Sequence, residues 1–210
     1  MTALISQSGN LDDELQKMGF VEVTSLSPEI IESLMYARDD NFTGRLLYTN
    51  LEHAWLHPDA AKSLQRAQEI LSEIALGYRL LVKDAARPMS VQRTMFQAVA
   101  GTPKARYVAN PNKGGGLHNF GLAVDITLAD REGRELPMGT PVDHLGVEAN
   151  IDKEEQLVKK GVISETERQN RLLLRRVMRE AGFSTIRTEW WHFDRVQPPV
   201  ARAKYKRLDF

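Results

Sequence analysis

Two segments of this chain hold side chains that could do chemistry together. The first is Gly114-Gly115-Gly116-Leu117-His118-Asn119-Phe120-Gly121-Leu122-Ala123-Val124-Asp125, with an imidazole and then a carboxylate. The second, far downstream, is Glu189-Trp190-Trp191-His192-Phe193-Asp194, with a second imidazole and a Glu just before it. Two imidazoles and one carboxylate form a set of zinc ligands of the catalytic kind, in which the fourth position is left to water. A Glu beside such a site can take a proton from the water that attacks a carbonyl. The residue types therefore suggest a hydrolase with His118, Asp125 and His192 as metal ligands and Glu189 as base.

These side chains must be positioned by different elements. His118 and Asp125 are an odd number of residues apart, so a single straight strand would point them to opposite faces. A helix would align them, but Gly114, Gly115, Gly116 and Gly121 disfavour one. The spacing predicts His118 in a loop, a turn near Gly121, and Asp125 on a strand over Ala123-Val124-Asp125-Ile126-Thr127-Leu128. A carboxylate among such apolar neighbours needs a strong partner, a metal or an Arg, because burying it unpaired is costly. Thr185-Ile186-Arg187-Thr188 reads as a second strand, delivering Glu189 and His192 beside the first. Taken singly, each residue has a plainer reading: a surface His in a Gly-rich loop, or Trp190 and Trp191 as core packing. A joint zinc site accounts for all of them.

The pattern His118-x6-Asp125 followed by Glu189-x-x-His192 resembles the zinc D,D-peptidases, specifically the D-alanyl-D-alanine dipeptidases. Three further stretches agree. Tyr36-Ala37-Arg38-Asp39-Asp40-Asn41-Phe42-Thr43-Gly44-Arg45 resembles the family's N-terminal Tyr-Ala…Asn-Phe-Thr-Gly segment. Asp84-Ala85-Ala86-Arg87-Pro88 resembles its Asp-x-x-Arg-Pro, and Met138-Gly139-Thr140-Pro141-Val142-Asp143 its loop after the ligand strand. The resemblance implies His118, Asp125 and His192 as ligands of one zinc ion, Glu189 as the catalytic base and Arg87 as the group that stabilises the developing oxyanion. For Arg87 the alternative is a structural salt bridge with Asp84. Asp143 could receive a substrate ammonium group or cap a turn. Gly116 stands where many members carry Ser, and His144-Leu145-Gly146-Val147-Glu148 departs from the run that follows in some members. His53, His57 and His144 read as surface residues.

Composition narrows the function further. The chain has 210 residues, enough for one domain over 1–210 with a sizeable core. Lys plus Arg and Asp plus Glu are both 28, so no basic excess points to a nucleic-acid partner. The absence of Cys excludes disulfides, thiolate zinc ligands and a Cys nucleophile. No apolar run approaches the roughly 20 residues of a membrane span. The start, Met1-Thr2-Ala3-Leu4-Ile5-Ser6, lacks the n- and h-regions of a signal peptide. That predicts a cytoplasmic protein, or a periplasmic one if the chain is a processed form. The oligomeric state is open.

The remaining elements complete an α+β reading, a small antiparallel sheet carrying the site with helices beside it. Ser27-Pro28-Glu29 predicts a helix start. Ala60, Leu64, Ala67, Leu71 and Ile74 predict a helix over Pro58–Leu76, ended by Gly77. Tyr78–Lys83 reads as a strand, Ser90–Ala100 as a helix capped by Ser90, and Tyr107–Gly116 as a loop. Asp130-Arg131-Glu132-Gly133 predicts a hairpin turn. Ser164-Glu165-Thr166-Glu167 is a capping box opening a helix to about Glu180, with Gly182 at its end and a strand from Phe183 to Ile186. The activity implied is zinc-dependent hydrolysis of the free dipeptide D-Ala-D-Ala. Two alternatives stay open: a D,D-carboxypeptidase or endopeptidase acting on peptidoglycan peptides, and a non-catalytic zinc-binding module. The latter would not need a carboxylate at Glu189.

Overall fold

Ala123–Ala129 is buried at every position, as a central strand covered on both faces must be. It lies in a computed structural model that describes residues 9–210; the start read for an export signal, residues 1–6, lies outside them. In chain order the helices are α1 (Leu11–Lys17), α2 (Pro58–Ile74), α3 (Met89–Val99), α4 (Glu154–Lys159), α5 (Glu165–Glu180) and α6 (Pro198–Lys204). The strands are β1 (Val21–Glu22), β2 (Ile30–Glu32), β3 (Trp55–Leu56), β4 (Arg79–Asp84), β5 (Ala123–Ala129), β6 (Ser184–Thr185) and β7 (His192–Asp194). The main sheet has the order β2-β4-β5-β7-β6, and β1 and β3 form a separate antiparallel pair. Within the main sheet β4, β5, β7 and β6 pair antiparallel, while β2 joins the edge parallel to β4. The fold is α+β, with a mixed sheet whose site-bearing strands are antiparallel.

Side chains on a strand alternate between faces. Val124, Ile126 and Leu128 join a core cluster with Leu64 and Leu71 of α2 and Leu174 and Val177 of α5. Asp125, between them in sequence, points the other way. Two helix predictions hold closely. α2 ends at Ile74, and Gly77 beyond it has φ +92°. In α5 the Ser164 hydroxyl accepts from Glu167 N–H while the Glu167 carboxylate accepts from Ser164 N–H. After β5 the chain turns at Gly133 and returns as a single bridge between Ala129 and Glu135.

Three local expectations are corrected. Ser27-Pro28-Glu29 starts no helix. Ser27 Oγ does engage Glu29, but the chain enters β2 at Ile30, because β-branched Ile30 and Ile31 find partners in Leu80 and Leu81. α3 begins at Met89, one residue before the expected Ser90 cap. Its first N–H groups are taken by the carbonyls of Leu208 and Phe210, so the C-terminal segment does the capping. The strand expected over Phe183–Ile186 and Thr185–Thr188 is only Ser184–Thr185, and His192 lies on a strand of its own, β7.

No helix among the described residues is long and apolar enough to cross a membrane.

Candidate metal centre and active site

Strand register brings the acidic and imidazole groups together. Asp125 on β5 is paired with His192 on β7, so both side chains leave the same face. On its other side Asp125 pairs with Asp84, and this depends on an irregularity. Val82 pairs with Ile126 and Asp84 with Asp125, leaving Lys83 as an extra residue on β4. Such a bulge re-aims the side chains after it. Here it sets Asp84 in the row Asp84–Asp125–His192. Lys83 meanwhile pairs with Glu135.

His118 arrives from a 3₁₀ turn, Leu117–Phe120, which Gly121 ends at φ +64°. A Cβ at Gly121 would lie 2.3 Å from Phe20 Cε1 and 3.0 Å from the His57 backbone nitrogen. Left-handed backbone costs a non-glycine residue roughly 1–2 kcal/mol before any clash. Gly121→Ala is therefore expected to lower the thermal midpoint by at least about 2 °C. An unchanged melting curve would show that this turn does not fix the loop.

The ligand atoms offered by His118, Asp125 and His192 lie within 4.8 Å of one another. His118 Nε2 is 3.2 Å from His192 Nδ1 and 3.3 Å from Asp125 Oδ2, and His192 Nδ1 is 2.9 Å from Asp125 Oδ1. Ligands at zinc distances of 2.0–2.1 Å in a tetrahedron stand about 3.3–3.4 Å apart, so the donor set fits a tetrahedral ion closely. The outer nitrogens agree. His118 Nδ1 is 2.7 Å from the Ala85 carbonyl, which can only accept, so Nδ1 carries the proton and Nε2 turns its lone pair inward. His192 Nε2 is 2.9 Å from Asp194 Oδ1, a carboxylate–histidine pair of the kind that orients metal ligands. Two lone pairs and a carboxylate converging in a buried place call for a cation.

Burial and neighbouring charge act on these groups in opposite directions. Burial works against a charged His192, but Asp194 and Asp125 outweigh it and raise its pKa well above the usual imidazole range. Burial also works against an ionised Asp125, yet His118 and His192 hold it well below the usual carboxylate range. Glu189 stands 4.0 Å from His192 Nδ1, and burial, aided by Asp125 and Asp143, pushes it up to about 8 against the opposing pull of His192.

Arg87 makes the salt bridge with Asp84 and also lines the cavity, so the two readings of it are compatible. Its Nε and Nη2 donate to Asp84 Oδ2, Nη1 donates to Gln92 Oε1 at 3.0 Å, and Nη2 lies 3.5 Å from Asp125 Oδ2. Among the described residues these four contacts leave one of the five guanidinium N–H groups free. Burial opposes the Arg87 charge, but Asp84, joined by Tyr36, Tyr48 and Asp125, outweighs it and raises the pKa. Asp143 sits at φ +63° and accepts a hydrogen bond from the Tyr36 hydroxyl. Burial, with Asp125 adding to it, pushes Asp143 up to about 7.

All six residues singled out in the sequence (His118, Asp125, His192, Glu189, Arg87 and Asp143) line one cavity of about 200 Å³. That is small beside the ~300–1,000 Å³ of pockets for drug-sized ligands. His53, 46% exposed in its side chain, pairs with Glu32, and His144 with Glu148, both outside the cavity lining. Sequence reasoning missed three contributors. Asp194 had a usable signal, since residues two apart on a strand share a face. Asp84 was recognised only as a partner for Arg87, and Tyr36 only as part of a motif.

The site defines a class: a two-His, one-Asp cluster that could hold a metal ion, with a neighbouring Glu, set on an α+β sheet. A family model described as D-ala-D-ala dipeptidase, of the M15 peptidases, matches residues 16–208. The D-alanyl-D-alanine dipeptidase of Escherichia coli (strain K12) is 32% identical over 177 residues, 84% of each chain. Those of Enterococcus faecalis (strain ATCC 700802 / V583) and Enterococcus faecium are each 29% identical, covering 86% and 84% of this chain and 93% and 91% of their own. The chain belongs to the D-Ala-D-Ala dipeptidase family of M15 peptidases.

Proposed function

We propose that the protein is a zinc peptidase that hydrolyses free D-Ala-D-Ala to two D-alanines, with His118, Asp125 and His192 holding one ion and Glu189 acting as general base. The observation that carries this reading is the meeting of the three ligand atoms beside Glu189 in one small cavity. When bound, zinc supplies Lewis-acid polarisation of the scissile carbonyl and a lowered pKa for water. Glu189 takes the proton from the attacking water and returns it to the departing amine. Arg87 lines the cavity and would donate to the carbonyl oxygen as it becomes negative; removing such a donor typically costs ~10²–10³ in rate. Asp194 keeps His192 in the tautomer that turns Nδ1 inward. Asp143 receives the substrate ammonium.

The test joins metal analysis to turnover. The purified protein is expected to contain one zinc per chain and to release D-alanine from D-Ala-D-Ala, with chelation abolishing the release. His118→Ala, Asp125→Ala and His192→Ala are each expected to lower zinc occupancy sharply, because two remaining ligands compete poorly for the ion. The fold should survive, since the core and not the metal carries stability in a domain of this size. Full zinc in all three variants would overturn the ligand assignment.

A further inference from the structure

Arg171, on α5, is fully buried, yet among the described residues its hydrogen bonds go to no carboxylate. A buried charge normally needs a paired anion, so its actual partners are informative. Nε donates to the Met138 carbonyl at 2.6 Å and Nη1 to the Glu148 carbonyl at 3.0 Å. Nη2 reaches Thr140 Oγ1 at 3.4 Å. One guanidinium thus holds both ends of the segment 138–148, which carries Asp143 and Leu145 to the cavity wall. Thr140 Oγ1 also accepts the indole N–H of Trp190 at 2.8 Å, and the Arg171 guanidinium lies 5.5 Å from the centre of the Trp190 ring. Trp190 is the residue after Glu189, and it is 2% exposed. The loop bearing Asp143 and the turn bearing Glu189 therefore meet at one hydroxyl.

We propose that Arg171 and Thr140 are positioning residues that register Asp143 against Glu189 across the cavity. The functional part of this inference rests on the dipeptidase reading; the structural part does not. The fork geometry explains the choice of Arg. A lysine ammonium is a point charge and cannot donate in fixed directions to two carbonyls and a hydroxyl at once. The backbone of Asp143 is left-handed, at φ +63°, a conformation that costs a residue with a Cβ and that contacts around the loop help to hold. Burial lowers the Arg171 pKa to about 10, so it stays charged in neutral solution.

The joint can be tested without removing the buried charge. Thr140→Val keeps the shape and deletes the shared acceptor, whereas Thr140→Ser keeps the hydroxyl. In Thr140→Val, amide hydrogen exchange is expected to speed up in both 138–148 and 189–190, with β4 unchanged and zinc content and melting close to wild type. Activity on D-Ala-D-Ala should fall by about tenfold in kcat/KM, since small misplacements near the chemistry are costly. The preference for the free over the N-acetylated dipeptide should narrow, and Thr140→Ser should restore both. Unaltered exchange in the two segments of Thr140→Val would overturn the proposal, whatever the substrate. So would a loss of zinc or of fold, which would mark Thr140 as simply structural. If wild type proves inactive on D-Ala-D-Ala, the dipeptidase reading fails, and the exchange measurement alone decides whether the joint exists.

Discussion

Glu189→Gln is expected to keep its zinc and lose nearly all turnover. The amide is almost isosteric with the carboxylate and leaves His118, Asp125 and His192 untouched. At 4.0 Å from His192 Nδ1, the carboxylate is near the ligand set without being part of it. The amide cannot accept the proton of the attacking water, and the loss of a positioned base typically costs ~10²–10⁴ in rate. Burial raises the Glu189 carboxyl to about 8, and a cation held by His118, Asp125 and His192 would draw it back down, toward the ionised form a base needs. Metal analysis and steady-state kinetics on the same preparation check this. Substantial activity, once mass spectrometry has excluded hydrolysis of the amide back to Glu, would remove Glu189 as the base. Near-complete loss of zinc would make it a structural member of the site instead.

That prediction was legible in the sequence because its signals are local. Glu189-x-x-His192 and His118-x6-Asp125 are short spacings, and Asp125 stood out as a carboxylate in an apolar strand. The signals that failed depended on distant partners. Ser27-Pro28 is a sound helix start by local chemistry, but pairing with β4 draws Ile30 into a sheet. β7 has only three residues, too few for an alternation to appear, so His192 reads as delivered by the strand before it and not as lying on one of its own. The bulge at Lys83 that turns Asp84 toward Asp125 is a property of the register with β5 and has no local pattern. Tyr36 and Asp143 meet across 107 residues of sequence. Arg171 is hidden most thoroughly: in the sequence it is one of several arginines on α5, and only the loop that packs against it shows which one is fully buried.

Free D-Ala-D-Ala should be cleaved far better than its N-acetyl form or a stem pentapeptide ending in D-Ala-D-Ala. The cavity is small, about 200 Å³, and Asp143 is set in its wall with Tyr36 as a hydrogen-bond partner. Burial holds the Asp143 carboxyl near pH 7 in the absence of substrate. An ammonium placed against it would pair with the carboxylate and stabilise its charged form. Acylation removes that charge, adds bulk, and leaves the buried Asp143 carboxyl without a cation to pair with. Sites built to bind a particular polar group can reject an analogue lacking it by ~10⁴–10⁵-fold. Asp143→Asn should therefore harm the free dipeptide much more than the acylated one and narrow the ratio between them. The measurement is kcat/KM for the three substrates, side by side, on wild type and Asp143→Asn. Equal or better turnover of the acylated substrates by wild type would sink the dipeptidase reading. It would favour a D,D-carboxypeptidase acting on peptidoglycan peptides, and it would leave the roles of His118, Asp125, His192 and Glu189 standing, since the bond cleaved and the chemistry at the carbonyl are the same.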